Sequence, residues 1–219
     1  MNWDLIWSSF GPLITGAVTG TIPLTLASFA FGLVLALVVA LMRLSPNWFL
    51  SGIGRFYVSV IRGTPLLVQL FVIFFGLPSI GIRLDPWPSA IIAFSLNVGG
   101  YAAEIIRAAI LSVPKGQWEA GHTIGMSRPQ ALVRIILPQA ARVSVPPLSN
   151  TFISLVKDTS LASLILVTEL FRNAQQIAAF SQEFMALYLQ AALVYWVICL
   201  VLSTAQSAVE KRLDRYVAH

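Results

Sequence analysis

Long uncharged stretches alternate with short polar segments along this chain, and the alternation is typical of a protein that crosses a membrane several times. A helix needs about 20 mainly apolar residues, each rising about 1.5 Å, to cross the hydrocarbon of a bilayer. The pattern predicts five such spans, at about residues 20–42, 57–77, 87–109, 143–168 and 184–209. We therefore expect an all-α integral membrane protein in which residues 1–219 form one domain.

The first uncharged run covers residues 5–42 and is too long for one span. Glycines and prolines between residues 11 and 23 interrupt it, and such residues weaken helices. We predict that residues 2–15 form a separate short helix lying at the membrane interface. Trp3 and Trp7 in this helix suit the depth of the lipid headgroups.

The composition agrees with a membrane protein. Hydrophobic residues make up 57% of the chain and charged residues only 11%, whereas a soluble domain carries about 25% charged residues. The net charge of +5 does not indicate nucleic-acid binding, because no basic cluster with interleaved aromatics stands apart from the apolar runs. We expect no cleavable signal peptide, since the first charge is Asp4, and the single cysteine, Cys199, allows no intrachain disulfide.

The basic residues between the spans predict the orientation, because cytoplasmic loops are enriched in Lys and Arg. With the N-terminus outside, only Arg83 and Arg172 face the exterior. The eleven basic residues on the other side are Arg43, Arg55, Arg62, Arg107, Lys115, Arg128, Arg134, Arg142, Lys211, Arg212 and Arg215. This asymmetry places the C-terminus and the polar segment 113–142 in the cytoplasm.

The polar segment 113–142 has the pattern helix, glycine, helix. Residues 117–124 can form a short helix that Gly125 ends, because glycine readily adopts the left-handed conformation at the C′ position. Ser127 is a good N-cap for a second helix, whose end Pro138 weakens. From amphipathicity alone, an ordinary cytoplasmic hairpin with no partner would explain this segment.

The spacing inside this segment is more specific. Residues 119–138 follow the pattern E-A-A-x3-G-x9-I-x-L-P of the "EAA" loop of ABC-importer permeases. The matching residues are Glu119, Ala120, Gly125, Ile135, Leu137 and Pro138, and Gly121 stands where the second alanine is expected. The resemblance implies that these seven positions couple the membrane protein to a separate ATPase.

Further blocks of the chain, over about residues 20–210, resemble the polar amino-acid ABC permeases. They are RGTPLLVQ at 62–69, FFGLP at 74–78, SLN at 95–97, YAAE at 101–104, RAAI at 107–110, LPQA at 137–140, PPLSN at 146–150 and SLVKDTSL at 154–161. Within this family the chain is most similar to the bacterial L-cystine permeases. The resemblance implies a type I ABC importer fold with a cytoplasmic helical coupling loop.

The same resemblance implies a function and a set of partners. The chain would be the transmembrane permease subunit of an ATP-driven importer for a polar amino acid, with L-cystine as the expected substrate. Its partners would be a second permease subunit (the same chain or a paralogue), cytoplasmic ATPase subunits and an extracytoplasmic solute-binding protein, in the bacterial inner membrane. ATP and Mg would bind to the ATPase; since this chain has no GxxxxGK[ST] phosphate loop, we expect no enzyme activity and no cofactor of its own.

Polar residues inside the predicted spans are candidates for the solute path, because an unpartnered charge in hydrocarbon is costly. Lys157 and Asp158 offer one charge of each sign to a zwitterionic amino acid. The candidates are Gln69, Asn97, Tyr101, Lys157, Asp158, Thr159 and Ser160. For Asn97 and for the two charges, the alternative that such groups pair with each other and fix helix packing stays open. Arg62 and Gln69 are spaced to share one face of the second span.

Other charged residues have simpler interpretations. Glu104 and Arg107 are three residues apart in the third span, and we expect them to form a structural ion pair. Glu169, Arg172 and Glu183 lie between the last two spans and are expected on a solvated periplasmic face.

Two other function classes fit the span pattern. An ion-gradient-driven secondary amino-acid transporter would keep transporting after ATP depletion, and a purely structural scaffold leaves the EAA spacing unexplained. A metal site is not expected, since His122 and His219 have no companions at ligand spacing.

Thiol labelling tests the predicted orientation. In a chain whose Cys199 is first changed to Ala, the variant Ser127→Cys should react with a membrane-impermeant thiol reagent only from the cytoplasmic side. The variant Ser79→Cys should react only from outside, because its loop carries almost none of the basic residues. The reversed labelling pattern would contradict the orientation.

Overall fold

The computed structural model describes residues 3–214, and every regular element in that range is helical. The α-helices are α1 Trp3–Gly16, α2 Ile22–Leu44, α3 Trp48–Gly63, α4 Leu66–Phe71, α5 Pro86–Ser112, α6 Lys115–Thr123, α7 Arg128–Ala131, α8 Leu137–Asp158, α9 Leu170–Ser181 and α10 Phe184–Asp214. Asn2, Arg215 and His219, which enter the sequence predictions, lie outside the described residues.

Length and hydropathy single out the membrane spans. Within the described part of the chain, three helices are long and apolar enough to cross a membrane: Trp3–Leu44, Pro86–Ser112 and Phe184–Arg212. Two bent helix pairs raise the number to five if each pair is one span. The last two of the three helices cover the segments predicted as spans at residues 87–109 and 184–209.

The first helix is continuous from Trp3 to Leu44, since α1 and α2 are joined by a π-helical turn at Ala17–Thr21. A helix of 42 residues extends about 63 Å, about twice the hydrocarbon thickness of a bilayer. The boundary predicted between an interfacial helix at 2–15 and a span at 20–42 is therefore not a break. The π-turn accommodates the sequence here, and Pro23 follows it in the first turn of α2, where proline is tolerated.

The second predicted span is broken. The helix that begins at α4 continues as π- and 3-10 turns to Ile80 and is bent by 105° from α3. Thr64 between them is extended (φ −124°, ψ 146°), because the proline that follows disfavours the helical conformation. The prediction of an unbroken helix at 57–77 is therefore wrong, and so is the placing of Arg62 and Gln69 on one helical face.

Helix α5 lies at the centre of the bundle and packs between α2 and α8. The approach of α2 to α5 is close because residue 32 is glycine: a Cβ on Gly32 would lie only 2.6 Å from the Val98 side chain. Leu24, Phe94 and Leu155 are among the buried core residues that these helices share.

The second helix of the coupling loop continues into the fourth span. It runs from Arg128 to Ile165 and contains α7, a π-turn at Leu132–Ile136, α8 and a 3-10 turn at Thr159–Ile165. The predicted boundary between the loop at 113–142 and the span at 143–168 is therefore not a break. Pro138 does not end the helix because it follows the π-turn in the first turn of α8.

Helix α9 follows at an angle of 49° and begins with a buried carboxylate. Glu169, its N-cap, is fully buried and accepts hydrogen bonds from the backbone N–H groups of Phe171 (2.9 Å) and Arg172 (2.7 Å). The Tyr195 hydroxyl of α10 donates to the same carboxylate at 2.8 Å. The prediction that Glu169 lies on a solvated face is wrong, because donors from two helices satisfy it inside the protein. Arg172 and Glu183 are half-buried.

The first helix packs against this corner at its π-turn. The Thr21 hydroxyl lies 3.4 Å from the Glu169 carboxylate, and a Cβ on Gly20 would lie 2.5 Å from the Thr168 carbonyl oxygen. Asn173 of α9 donates to the carbonyl oxygen of Pro12 at 2.8 Å. The first helix, α9 and α10 therefore meet around one carboxylate.

Substitution of Glu169 tests its contribution to stability. Glu169→Ala should lower the melting temperature of the purified protein, because buried donors lose their acceptor at a cost of about 1–3 kcal/mol each. Glu169→Gln keeps one acceptor oxygen and should lower it less. The matched control, Glu183→Ala, should have little effect. Equal melting temperatures for the wild-type protein and Glu169→Ala would contradict this role.

Candidate coupling loop and membrane cavity

The coupling loop consists of α6, a glycine turn and the start of α7. Gly125 has a φ of 80°, the left-handed conformation predicted for it, and its N–H donates to the His122 carbonyl at 3.0 Å. The N–H of Ser127 donates to Oε1 of Gln130 at 2.9 Å and so begins the next helix. The predicted pattern of helix, glycine and helix is confirmed.

Helix α6 packs closely on the helix that follows it. A Cβ on Gly121 would lie 3.2 Å from both Ala131 Cβ and Ile135 Cδ1, tighter than ordinary van der Waals contact. This close crossing gives a physical reason for glycine at the position where the EAA pattern has its second alanine.

The predicted coupling residues divide between two faces of the loop. Ile135 and Leu137 belong to a small apolar cluster that joins the loop to the end of α5, and Gly121 is buried against it. Glu119 and Ala120 are exposed on the outer face of α6. The loop therefore has one face fixed to the bundle and another that a partner can contact.

A cavity of about 400 Å³ opens where the bend between α3 and α4 faces α5 and α8. Cavities of about 300–1,000 Å³ commonly hold small molecules. Its lining residues are Thr64, Pro65, Leu66, Asn97, Val98, Tyr101, Asn150, Thr151, Ser154, Leu155 and Asp158. Asp158 is the one charged side chain among these described residues, so the cavity offers a negative charge within a polar wall.

Three predicted path residues, Asn97, Tyr101 and Asp158, line this cavity. Asn150 and Ser154 also line it and were not predicted. A signal for them was present, since residues 150, 154 and 158 are spaced by four and lie on one face of a helix.

Gln69 holds the bend rather than lining the cavity. Its Nε2 donates to the carbonyl oxygen of Ile61 (2.8 Å) and lies 2.9 Å from the Thr64 hydroxyl. Its Oε1 accepts a hydrogen bond from Nδ2 of Asn97 at 3.0 Å. Asn97 therefore has both roles that the sequence left open, since it pairs with another helix and also lines the cavity.

Lys157 and Asp158 face different spaces. Adjacent residues of a helix point about 100° apart, and Lys157 lines a second cavity of about 550 Å³ bordered by α9 and α10. No ion pair joins Lys157 and Asp158, whereas Glu104 takes part in three. Ser160 lines the second cavity, and Thr159 is buried with its hydroxyl donating to the Val156 carbonyl (2.7 Å).

Glu104 forms the expected ion pair with Arg107, whose Nη2 lies 2.6 Å from Oε1. The carboxylate is also paired with Arg43 of α2 and lies 3.7 Å from Nη1 of Arg62 of α3. Spacing along the sequence could reveal only Arg107, because the other two arginines belong to distant helices.

Comparison with known proteins decides between the function classes. Residues 28–215 match the family described as "Binding-protein-dependent transport system inner membrane component". The chain belongs to this family. It is 62% identical to the L-cystine transport system permease protein TcyB of Bacillus subtilis (strain 168), over 99% of this chain and 93% of that protein. The glutamine transport system permease protein GlnP of Escherichia coli (strain K12) is 38% identical, over 97% of each chain.

Solved structures share the fold. The crystal structure of an amino acid ABC transporter with histidines matches with a TM-score of 0.90 at 33% identity, covering 97% of this chain and 99% of that one. The inward-facing MetNI methionine ABC transporter, 20% identical, matches with a TM-score of 0.79 over 97% and 99%. The type I ABC importer fold is confirmed.

These similarities settle the class of function. The chain is a membrane permease subunit of an ABC importer, and not an ion-gradient-driven transporter or a scaffold. In such importers ATP is hydrolysed by separate subunits, so the chain is not itself an enzyme.

The glycine turn supplies a test of coupling. Gly125→Pro should abolish ATP-driven uptake by the assembled importer while leaving membrane insertion intact, because proline fixes φ near −65° and removes the N–H that bonds to His122. Gly116→Pro is the matched control: residue 116 lies in the first turn of α6, where proline is tolerated as Pro129 is in α7. Normal uptake by the Gly125→Pro variant would show that this turn does not transmit the motion.

Proposed function

We propose that the chain is the permease subunit of an ATP-driven importer of L-cystine. The observation that carries this proposal is the 62% identity, over 99% of the chain, to a protein named as an L-cystine permease. Relatives of lower identity are named for other amino acids, such as glutamine. The proposal therefore has two parts. Import of an amino acid is supported by both relatives, and the choice of cystine rests on the relative of 62% identity.

The amino acid crosses the membrane through the cavity between the bend, α5 and α8. Its ammonium group binds Asp158, the charged residue of the lining, and its other polar groups bind the amides of Asn97 and Asn150 and the hydroxyl of Tyr101. Gln69 acts on the substrate indirectly, by holding Asn97 in place.

The neighbouring predicted residues have supporting roles in this path. Thr159 stabilises the end of α8 through its bond to the Val156 carbonyl. Lys157 and Ser160 lie in the second cavity, beside Tyr195 and Trp196. They influence the path from this second cavity and do not bind the substrate held by Asp158.

Coupling to ATP starts at the exposed face of α6. Glu119 and Ala120 contact a cytoplasmic ATPase subunit, which binds ATP and Mg. Closure of the ATPase pair displaces the loop and, with it, the continuous helix Arg128–Ile165 that carries Asp158. The cavity then makes different contacts with the substrate before and after the ATPase pair closes. This difference couples the substrate site to the ATP site energetically.

The assembled importer contains a second permease subunit, identical or paralogous, and an extracytoplasmic solute-binding protein, in the bacterial inner membrane. The first helix supports the proposed orientation, because Arg43 near its C-terminal end contacts Glu104 in the half of α5 that leads to the coupling loop. The beginning of that helix therefore lies at the opposite end of the bundle, outside if the loop is cytoplasmic.

The substitution Asp158→Asn tests the proposed path. It keeps the shape of the side chain but removes the charge, and it should raise the KM for cystine uptake about tenfold or more in proteoliposomes. The melting temperature should change little, because Asp158 has no ion pair with Lys157 to lose. Asp85→Asn, the same change at an exposed residue before α5, is the control and should leave the KM unchanged. Full recovery of uptake in the double variant Lys157→Met/Asp158→Asn would show instead that Asp158 only balances Lys157.

A further inference from the structure

Three arginines from three helices surround the single carboxylate of Glu104. Arg43 comes from α2, Arg62 from the end of α3 and Arg107 from α5 itself. The cluster lies eight residues, or about 12 Å, before the end of α5 at Ser112. Three positive charges and one negative charge leave an excess of two positive charges in this cluster.

Such an excess is unfavourable because like charges held close together repel each other. Nε of Arg43 is, in addition, buried without a hydrogen-bond partner. An anion that entered this region would relieve part of this cost, since it would add the missing negative charge.

Arg62 is the arginine best placed to meet an anion. Arg43 and Arg107 both donate hydrogen bonds to Glu104, whereas Arg62 lies 3.7 Å from it, at ion-pair distance only. The side chain of Arg62 is 45% exposed, compared with 15% for Arg43 and 30% for Arg107. If Arg62 turned away, Glu104 would remain neutralised by the other two.

The position of Arg62 connects the cluster to the substrate cavity. Its guanidinium carbon lies 5.5 Å from the centre of the Tyr101 ring, and Tyr101 lines the cavity. Thr64 and Pro65, two and three residues after Arg62, line the same cavity. Arg62 is therefore separated from the cavity by the Tyr101 ring that it contacts, whereas Asp158 belongs to the cavity lining itself.

We propose that Arg62 binds the carboxylate of the transported amino acid, in a site that Asp158 completes by binding the ammonium. This inference rests on the proposed function, because it assumes that the cavity is the substrate path. The planar guanidinium can bind a carboxylate through two parallel hydrogen bonds. Two opposite charges at one cavity would select zwitterions over amines that lack the carboxylate.

Ligand binding to the importer, assembled with its ATPase subunits in lipid nanodiscs, tests this assignment. The probes are L-cystine and L-cystine dimethyl ester, which has the same disulfide and amino groups but no carboxylate charge. The wild-type importer should bind cystine about ten- to hundredfold more tightly than the ester, as expected for a charge-assisted pair. Arg62→Gln should lose most of this preference by weakening cystine binding alone.

A matched control removes a charge from the same helix. Arg55→Gln changes an exposed arginine about 10 Å earlier along α3 and should keep the full preference. Arg62→Lys keeps the charge without the planar guanidinium and should lose part of the preference for cystine over the ester. This variant serves as the test if the importer with Arg62→Gln does not assemble. Equal weakening of both probes, or no change in either, would overturn the role in carboxylate binding.

The anion could instead be a lipid phosphate, and the lipid composition distinguishes the two sources. Binding is repeated in nanodiscs of phosphatidylcholine alone and of phosphatidylcholine mixed with phosphatidylglycerol. The preference for cystine over its dimethyl ester should be the same in both lipid compositions. If phosphatidylglycerol weakens cystine binding to the wild-type importer but not to Arg62→Gln, Arg62 binds lipid and the proposal is overturned.

The same measurements separate this proposal from the proposed function. If the wild-type importer binds another amino acid and not cystine, the substrate assignment fails. The role of Arg62 is then tested by comparing the binding of that amino acid with the binding of its methyl ester. If no amino acid binds, the cavity is not a substrate site and both proposals are overturned.

Discussion

A carboxylate packed between helices is stable only where the protein supplies its partners, and this bundle is organised around two of them. Glu169 accepts hydrogen bonds from two N–H groups of α9 and from Tyr195 of α10, beside the π-turn of the first helix. Glu104, nearer the coupling loop, is shared by arginines of α2, α3 and α5. Since each carboxylate takes its donors from several helices, displacing one helix would leave buried charge without partners. Polar contacts at two depths therefore fix the arrangement, and apolar packing fills the space between them.

The same constraint explains why the cavity lies at the bend between α3 and α4. Backbone that leaves the helical conformation at membrane depth is tolerated only where other groups satisfy it or where it borders a polar space. Gln69 meets the first condition, because its amide donates to the Ile61 carbonyl and to the Thr64 hydroxyl. The cavity meets the second, since Thr64 and Pro65 line it. The hydrogen bond from Asn97 to Gln69 then ties the bend to α5, so the shape of the cavity depends on one amide side chain.

Features that depend on local pattern could be predicted from the sequence, and features that depend on distant partners could not. The apolar runs of α5 and α10 and the turn at Gly125 follow from composition and from the conformational freedom of glycine. The break at Thr64 could have been predicted, because the sequence Gly-Thr-Pro disfavours a continuous helix there. The apolar residues on both sides favoured one span instead. The burial of Glu169 could not be predicted from the sequence, because it depends on Tyr195, a residue of another helix. The continuity of the first helix was also hidden, because π-turns have no simple sequence pattern.

The continuous helix from Arg128 to Ile165 gives the proposed coupling a physical route. No flexible linker separates the loop from the span, so a displacement of the loop reaches the span through helical backbone. Pro146 and Pro147 lie inside α8, and the helix can bend there. Its first turns pack on α6 through Ala131 and Ile135, and its later turns place Asp158 in the cavity wall. Because Lys157 points about 100° away from Asp158 around this helix, a rotation that moved Asp158 toward or away from the cavity would also move Lys157 relative to α10. The two adjacent charges are therefore contacts of one helix with two different spaces rather than partners in an ion pair.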